Sequence, residues 1–236
     1  NAVKKFNSAG TMQWTGSPGA GTVTSLALGV GADTSVYVGT SSQIRKLSMS
    51  TGTVDATFTT NTNTGSGAGM TVSNLGVPAL AVQSTGGIIA GISANSNNGN
   101  GYLVGINTSG LNLAGFTRNG GTAITSAPAS IAIDSSNNIY AVGGFSGYLK
   151  RMSSTGTTTS TPETTFNTAV ASKLTAAPKA VAVDSSGRVY VVGDFTGRLK
   201  RFSSAGVEDT TFSSNANIAA LATGALAIAI QTDGKV

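Results

Sequence analysis

The segment from Ile131, IAIDSSNNIYAVGGFSGYLKRMSSTG, is written again from Val181 as VAVDSSGRVYVVGDFTGRLKRFSSAG. A repeat of this size decides the fold before any motif does, because each unit must bury its apolar face against the next. Weaker copies extend the pattern. Short alternating segments start at Ser25, Ala79, Ser130, Ala180 and Ala227, at spacings of 54, 51, 50 and 47. The first four lead through a turn to a second β-rich run: SVYVGT from Ser35, GIIAGI from Gly87, NIYAVGGF from Asn138 and RVYVVGDF from Arg188. A third run follows from Gln43, Tyr102, Tyr148 and Arg198, and AVKKFN from Ala2 matches it at the start of the chain. A Ser/Thr-Gly turn and a fourth segment close each unit on an aromatic: Phe58, Phe116, Phe166, Phe212 and, in short form, Trp14.

Four short segments per unit of about 50 residues predict an all-β propeller of antiparallel four-stranded blades, essentially without helix, since no window sustains a 3.6-residue period. A parallel β-helix is the rival. It repeats in shorter coils and has no use for the hairpin turns DSSG and SSAG. Ala27, Ala81, Ala132, Ala182 and Ala229 share one position of the first strand, which predicts that it faces the crowded axis. The piece DGKV at Asp233–Val236 opens a second strand, and Asn1–Phe6 is a third. Joining them rebuilds a blade that lacks about seven residues. The expectation is a single domain over 1–236, with five blades and one of them shared by both ends. An excerpt from a longer repeat chain is the alternative.

Composition agrees with many short strands and tight turns. Of 236 residues, 39% are hydrophobic, 10% charged and 6% aromatic, with 32 glycines. That is enough apolar material for a core and too little charge for a disordered chain. No apolar run reaches the roughly 18 residues that span a bilayer, so membrane insertion is not expected. Cysteine is absent, which removes disulfides and thiolate chemistry. Low charge with abundant Ser, Thr, Asn and Gly leans toward an extracellular, cell-surface or virion-borne protein.

The stretch DSSGRVYVVGDF…RLKRFSSAGVEDTTF from Asp184 to Phe212, with QTDGKV at the end of the chain, resembles the delta-60 repeat family of β-propeller repeats. The likeness spans nearly the whole chain and is clearest over 130–236. VEDTTF (207–212) and VDATF (54–58) approximate the family's closing motif, whereas LNLAGF (111–116) lacks its acid. The resemblance implies a surface-exposed or secreted propeller, or one on a phage appendage. It supplies no catalytic residues.

The chemical inventory argues by absence. With no His and no Cys, neither a Ser-His-Asp nor a Cys-His nucleophile can be built. Only nine acids remain for general acid-base work, so no enzyme, catalytic residue or cofactor is expected. Asp134, Asp184 and Asp233 recur at the first turn, where two chemistries compete. A Ca²⁺ loop needs more oxygen ligands at fixed spacing than these turns carry. A hairpin needs only an Asp that accepts backbone amides and a residue that tolerates positive φ, so no metal site is expected.

Four basic pairs fall at one place in the third strand: Lys4-Lys5, Arg45-Lys46, Lys150-Arg151 and Lys200-Arg201. A ring of them could bind a polyanion, consistent with the net charge of +5. The other reading is internal pairing with the fourth segment, Arg45 or Lys46 to Asp55, Lys150 or Arg151 to Glu163, and Lys200 or Arg201 to Asp209. The second unit favours pairing, since Val104-Gly105 and Leu113 lose both signs together. Nucleic acid is therefore not the expected partner.

The remaining differences between units lie in their links, where rigid scaffolds carry binding residues. Thr59–Val77 is the longest, and ANSNNGNG at 94–101 is peculiar to the second unit, which makes Asn97, Asn98 and Asn100 candidate partner contacts. Trp14 could stack on a sugar, but it holds the slot of a packing Phe and is expected in the core. The functional expectation is a non-enzymatic structural or adhesion module on a cell surface or virion, with a carbohydrate-binding propeller as the alternative. Its partners would be a protein or a surface glycan, with homo-oligomer or larger assembly open.

Overall fold

A computed structural model of the chain describes residues 1–64, 75–93, 102–215, 218, 221 and 224–236. Four consecutive meanders each form a three-stranded antiparallel sheet: β3 (Val23–Leu28), β4 (Ser35–Thr40) and β5 (Ile44–Ser48); β6 (Ala79–Val82), β7 (Ile88–Ile92) and β8 (Tyr102–Ile106); β9 (Pro128–Ile133), β10 (Ile139–Gly143) and β11 (Leu149–Met152); and β12 (Pro178–Val183), β13 (Val189–Gly193) and β14 (Leu199–Phe202). Before them, β1 (Val3–Phe6) pairs with β2 (Met12–Gly16) as a separate hairpin. Among the described residues, 224–236 contribute no strand.

The turns follow side-chain chemistry that recurs from unit to unit. Asp134 Oδ1 accepts the amides of Ser136 and Asn138 at 2.9 Å, and Asp184 Oδ1 those of Ser186 and Arg188 at 2.9 Å. Asn7, Asn107 and Ser203 cap the second turn the same way. The recurrent Asp is thus a turn residue in the structure, as its spacing suggests.

Two expectations need correction. The fold is not free of helix, and the fourth segment is not a strand in the full units. The first, third and fourth units close on α1 (Ala56–Thr64), α2 (Thr161–Val170) and α3 (Thr210–Ser213). The closing acids and a proline explain it. Asp55 Oδ1 accepts the Phe58 amide and Asp209 Oδ1 the Phe212 amide, both at 2.9 Å, which are N-cap bonds. Pro162 stands in the first turn of α2, where a missing N–H costs nothing. What survives of a fourth strand among the described residues is a single bridge in each of three units, Leu47 to Val54, Ile106 to Asn112 and Phe202 to Glu208. Only the N-terminal unit keeps a true fourth strand, β2.

The core lies between neighbouring sheets. One cluster joins Tyr37, Ile44 and Phe58 of the first sheet's unit to Leu80, Ile88 and Ile106 of the next. Equivalent clusters join the second unit to the third and the third to the fourth. The hairpin β1–β2 packs Val3 and Trp14 on Val36, Val38 and Leu47. Trp14 is buried, its Nε1 donates to Met49 O at 2.9 Å, and its ring covers Gly52. It is core, as expected.

The matched alanines have a different cause from the one the pattern suggests. Ala27, Ala132 and Ala182 stand directly cross-strand from Tyr37, Tyr140 and Tyr190, so a small side chain leaves room for the ring. The axis is lined slightly earlier in each strand. There, Ser25, Ala79, Ser130, Ala180 and Ala227 and their neighbours surround one cavity of about 400 Å³, so all five matched segments contribute to its wall.

Candidate functional site

The third-strand cations belong to a module that the sequence showed only in part. Tyr140 donates its hydroxyl to Asp134 Oδ2 at 3.3 Å, and Tyr190 to Asp184 Oδ2 at 3.1 Å; Tyr37 does the same to Asp33 at 2.8 Å. The helix aromatic packs on that ring with centroids 5.5–5.7 Å apart in the pairs Tyr37–Phe58, Tyr140–Phe166 and Tyr190–Phe212. Burial pushes the Tyr37 and Tyr140 hydroxyls far above their ordinary range, and their Asp partners add to the shift, so both remain proton donors. The second cation of each pair stands cross-strand from the tyrosine and reaches the closing acid: Lys46 to Asp55 at 3.7 Å, Arg151 to Glu163 at 3.7 Å, and Arg201 to Asp209 at 2.5 Å. Arg201 also lies 4.3 Å over the Phe212 ring.

The expected internal pairing is therefore present in all three units. The first cation of each pair points to the opposite sheet face. Arg45 Nε donates to Pro18 O at 3.1 Å, Lys200 pairs with Glu208 at 2.9 Å, and Lys150 is half-buried, its ammonium pushed below its ordinary value by that burial. In the N-terminal hairpin, Lys5 donates to Met49 O at 3.0 Å, while Lys4 is exposed. The basic pairs do not converge on one open face. Asn97, Asn98 and Asn100 lie outside the described residues.

The second unit shows what replaces the module. Gln83, Ile89, Gly105 and Leu113 hold the places of Asp, Tyr, cation and acid. Phe116 occupies the freed space: a Cβ on Gly105 would sit 2.6 Å from its ring. Gln83 is buried, and its amide donates to Asn137 O at 3.1 Å and Ser154 O at 2.8 Å, tying the second unit to the third. Neither Gln83 nor the tyrosines stood out in the sequence as partners of the cations. Register was the missing signal.

Three concavities deserve comparison. Two are equivalent: one of about 200 Å³ beside Lys46, Ser48 and Asp55, and one of about 210 Å³ beside Arg201, Ser203 and Asp209. Each offers a cation, a carboxylate and a serine. In the third unit the corresponding acid, Glu163, is buried. The third concavity is the axial cavity, whose charged lining residue is Lys179. Its ammonium lies 3.9 Å from Asp194, with both side chains about half exposed at 47% and 61%.

No family model matches the sequence, and no curated protein matches it either. Solved structures do resemble the fold. The Dos1 propeller superposes with a TM-score of 0.56 at 14% identity, covering 88% of this chain and 52% of that one. A protein of unknown function from Bacteroides caccae gives 0.53 at 12% identity, over 86% and 65%. The RRP9 WD40 repeats give 0.52 at 14% identity, over 78% and 48%. At such identities the likeness concerns fold alone, and it defines the chain as propeller-like. The chain spans about half to two thirds of the length of these structures.

Proposed function

We propose that the chain is a non-enzymatic binding module, a structural or adhesion propeller of the delta-60 repeat type carried on a cell surface or virion appendage. The observation that supports it is where the charge goes. The repeated acids and cations are largely consumed inside the blades, as turn caps, helix caps and ion pairs. What remains is a rigid scaffold whose units differ at their links and around the axis, which is how scaffolds that present binding surfaces are built. Segment 226–228 and the hairpin β1–β2 are read as parts of one fifth blade. Spin labels at positions 2 and 235 would then report a short distance, and a separation typical of different blades would sink that arrangement. For adhesion itself, fluorescently labelled protein should bind intact cells saturably. Failure to bind any cell type or purified surface glycan would end this reading.

The carbohydrate alternative gains from the two equivalent clefts, because a cation, a carboxylate and a hydroxyl together satisfy sugar hydroxyls from both sides. A glycan array tests it. Arg201→Ala should reduce the signal, and an unchanged profile would discard the cleft as its site.

A further inference from the structure

We propose that the axial cavity is a binding site for a small organic anion with an apolar body, the class of fatty and aromatic carboxylates and sulfonates. At about 400 Å³ it falls within the roughly 300–1,000 Å³ of ordinary ligand sites. Leu26 and Leu226 line it yet remain 48% and 76% exposed, so their apolar surface is available to a ligand. Two hydroxyls in its wall donate to the backbone and a third accepts from it. Thr24 Oγ1 and Ser25 Oγ both donate to Val77 O, at 2.8 and 2.6 Å, and Ser130 Oγ accepts the Val181 amide at 3.4 Å. The charged side chain in the wall, Lys179, is the one that can orient an anionic ligand, and the Ser130 hydroxyl can still donate its proton beside it.

Internal comparison makes Lys179 specific. The corresponding residues of the other units are Thr24, Pro78, Ala129 and Leu226, none of them charged. Asp194 is also a departure, since the closely similar third unit has Gly144 there. The two charges therefore enter together at one side of the cavity mouth. Their contact is long and solvent-exposed, and such pairs contribute little, so a ligand anion can replace the Asp194 carboxylate beside the ammonium. Beyond it, the leucines and the walls formed by Ile131 and Ile228 receive the apolar body.

The test uses 8-anilinonaphthalene-1-sulfonate as a fluorescent probe on the full chain, with decanoate and decanol as competitors. Saturable binding at one site is expected, displaced by decanoate and much less by decanol. Lys179→Ala should weaken it about fivefold or more, Lys179→Arg should retain it, and Asp194→Asn should leave it equal or tighter by removing the competing carboxylate. A smaller change in Lys179→Ala, no saturable binding, or equal displacement by decanol overturns the site. Melting curves of the variants should match the parent, because both side chains are exposed. Glycan or cell binding that persists in Lys179→Ala would leave the adhesion reading standing whatever the probe does.

Discussion

Asp55 and Glu163 hold the same place in the repeat and face opposite costs. Asp55 is partly exposed, caps α1 through the Phe58 amide and meets Lys46 at a loose 3.7 Å. Glu163 is buried against Arg151, whose Nε has no hydrogen-bond partner among the described residues. Asp55→Ala should therefore cost about 1 kcal/mol, mostly the cap, and Asp55→Asn should recover most of it. Glu163→Ala leaves a largely buried guanidinium without its carboxylate and should cost about 2–4 kcal/mol in denaturant unfolding. Acid sensitivity has its own residue. Burial pushes the Asp184 carboxyl up, but the Arg188 amide and guanidinium, the Tyr190 hydroxyl and the Ser186 amide outweigh it and hold the group below its ordinary value. A depressed carboxyl stabilises the fold fully above the unfolded value of about 4, and that contribution is lost as pH falls through the folded value. Unfolding midpoints measured from about pH 7 down to about pH 2 should fall less steeply in Asp184→Asn than in the parent.

At the scale of an element, α2 does part of the work of the strand it replaces. Asn167 accepts the Arg151 amide at 2.7 Å and donates to Arg151 O at 3.0 Å, so one side chain pairs the outer edge of β11. This protects an edge that would otherwise invite another chain. In the second unit Asn119 Oδ1 accepts the Leu103 amide at 2.8 Å and the Leu113 amide donates to Gly105 O at 2.9 Å, so the edge of β8 is met too, while Phe116 fills the space over Gly105. Gly105→Ala should push the new Cβ into the Phe116 ring and destabilise by about 1–3 kcal/mol, measured by urea denaturation. The exchange of Asp, Tyr, cation and acid for Gln83, Ile89, Gly105 and Leu113 shows the module acting as a unit. The sequence exposed only two of its members, because the tyrosine and the turn Asp also read as ordinary strand and turn residues.

Across the molecule, stability is distributed among the surfaces between units. Phe58 packs between the first and second units, and Phe166 between the third and fourth; each is fully buried. Phe58→Ala and Phe166→Ala should each cost about 3–5 kcal/mol. The two sites share no partners, so the double variant should equal the sum within about 0.5 kcal/mol by chemical denaturation. A large departure would mean that the interfaces couple through the units between them.

The repeat, its strands and its turns were legible in the sequence, because alternation and turn chemistry act between residues a few positions apart. The third-strand pairing with the closing acids was legible too, through the second unit that lacks both. The helices were not. VDATF and VEDTTF carry β-compatible residues, and whether they extend or coil depends on the capping of Phe58 and Phe212 and on the surface each aromatic must reach. The small alanines could be located but not explained, since the tyrosine opposite each is a matter of register. Lys179 was one cation among fourteen until the first strands were brought together, and only that convergence sets it in the wall of a cavity. Local chemistry writes the elements, and long-range packing decides which of their side chains meet.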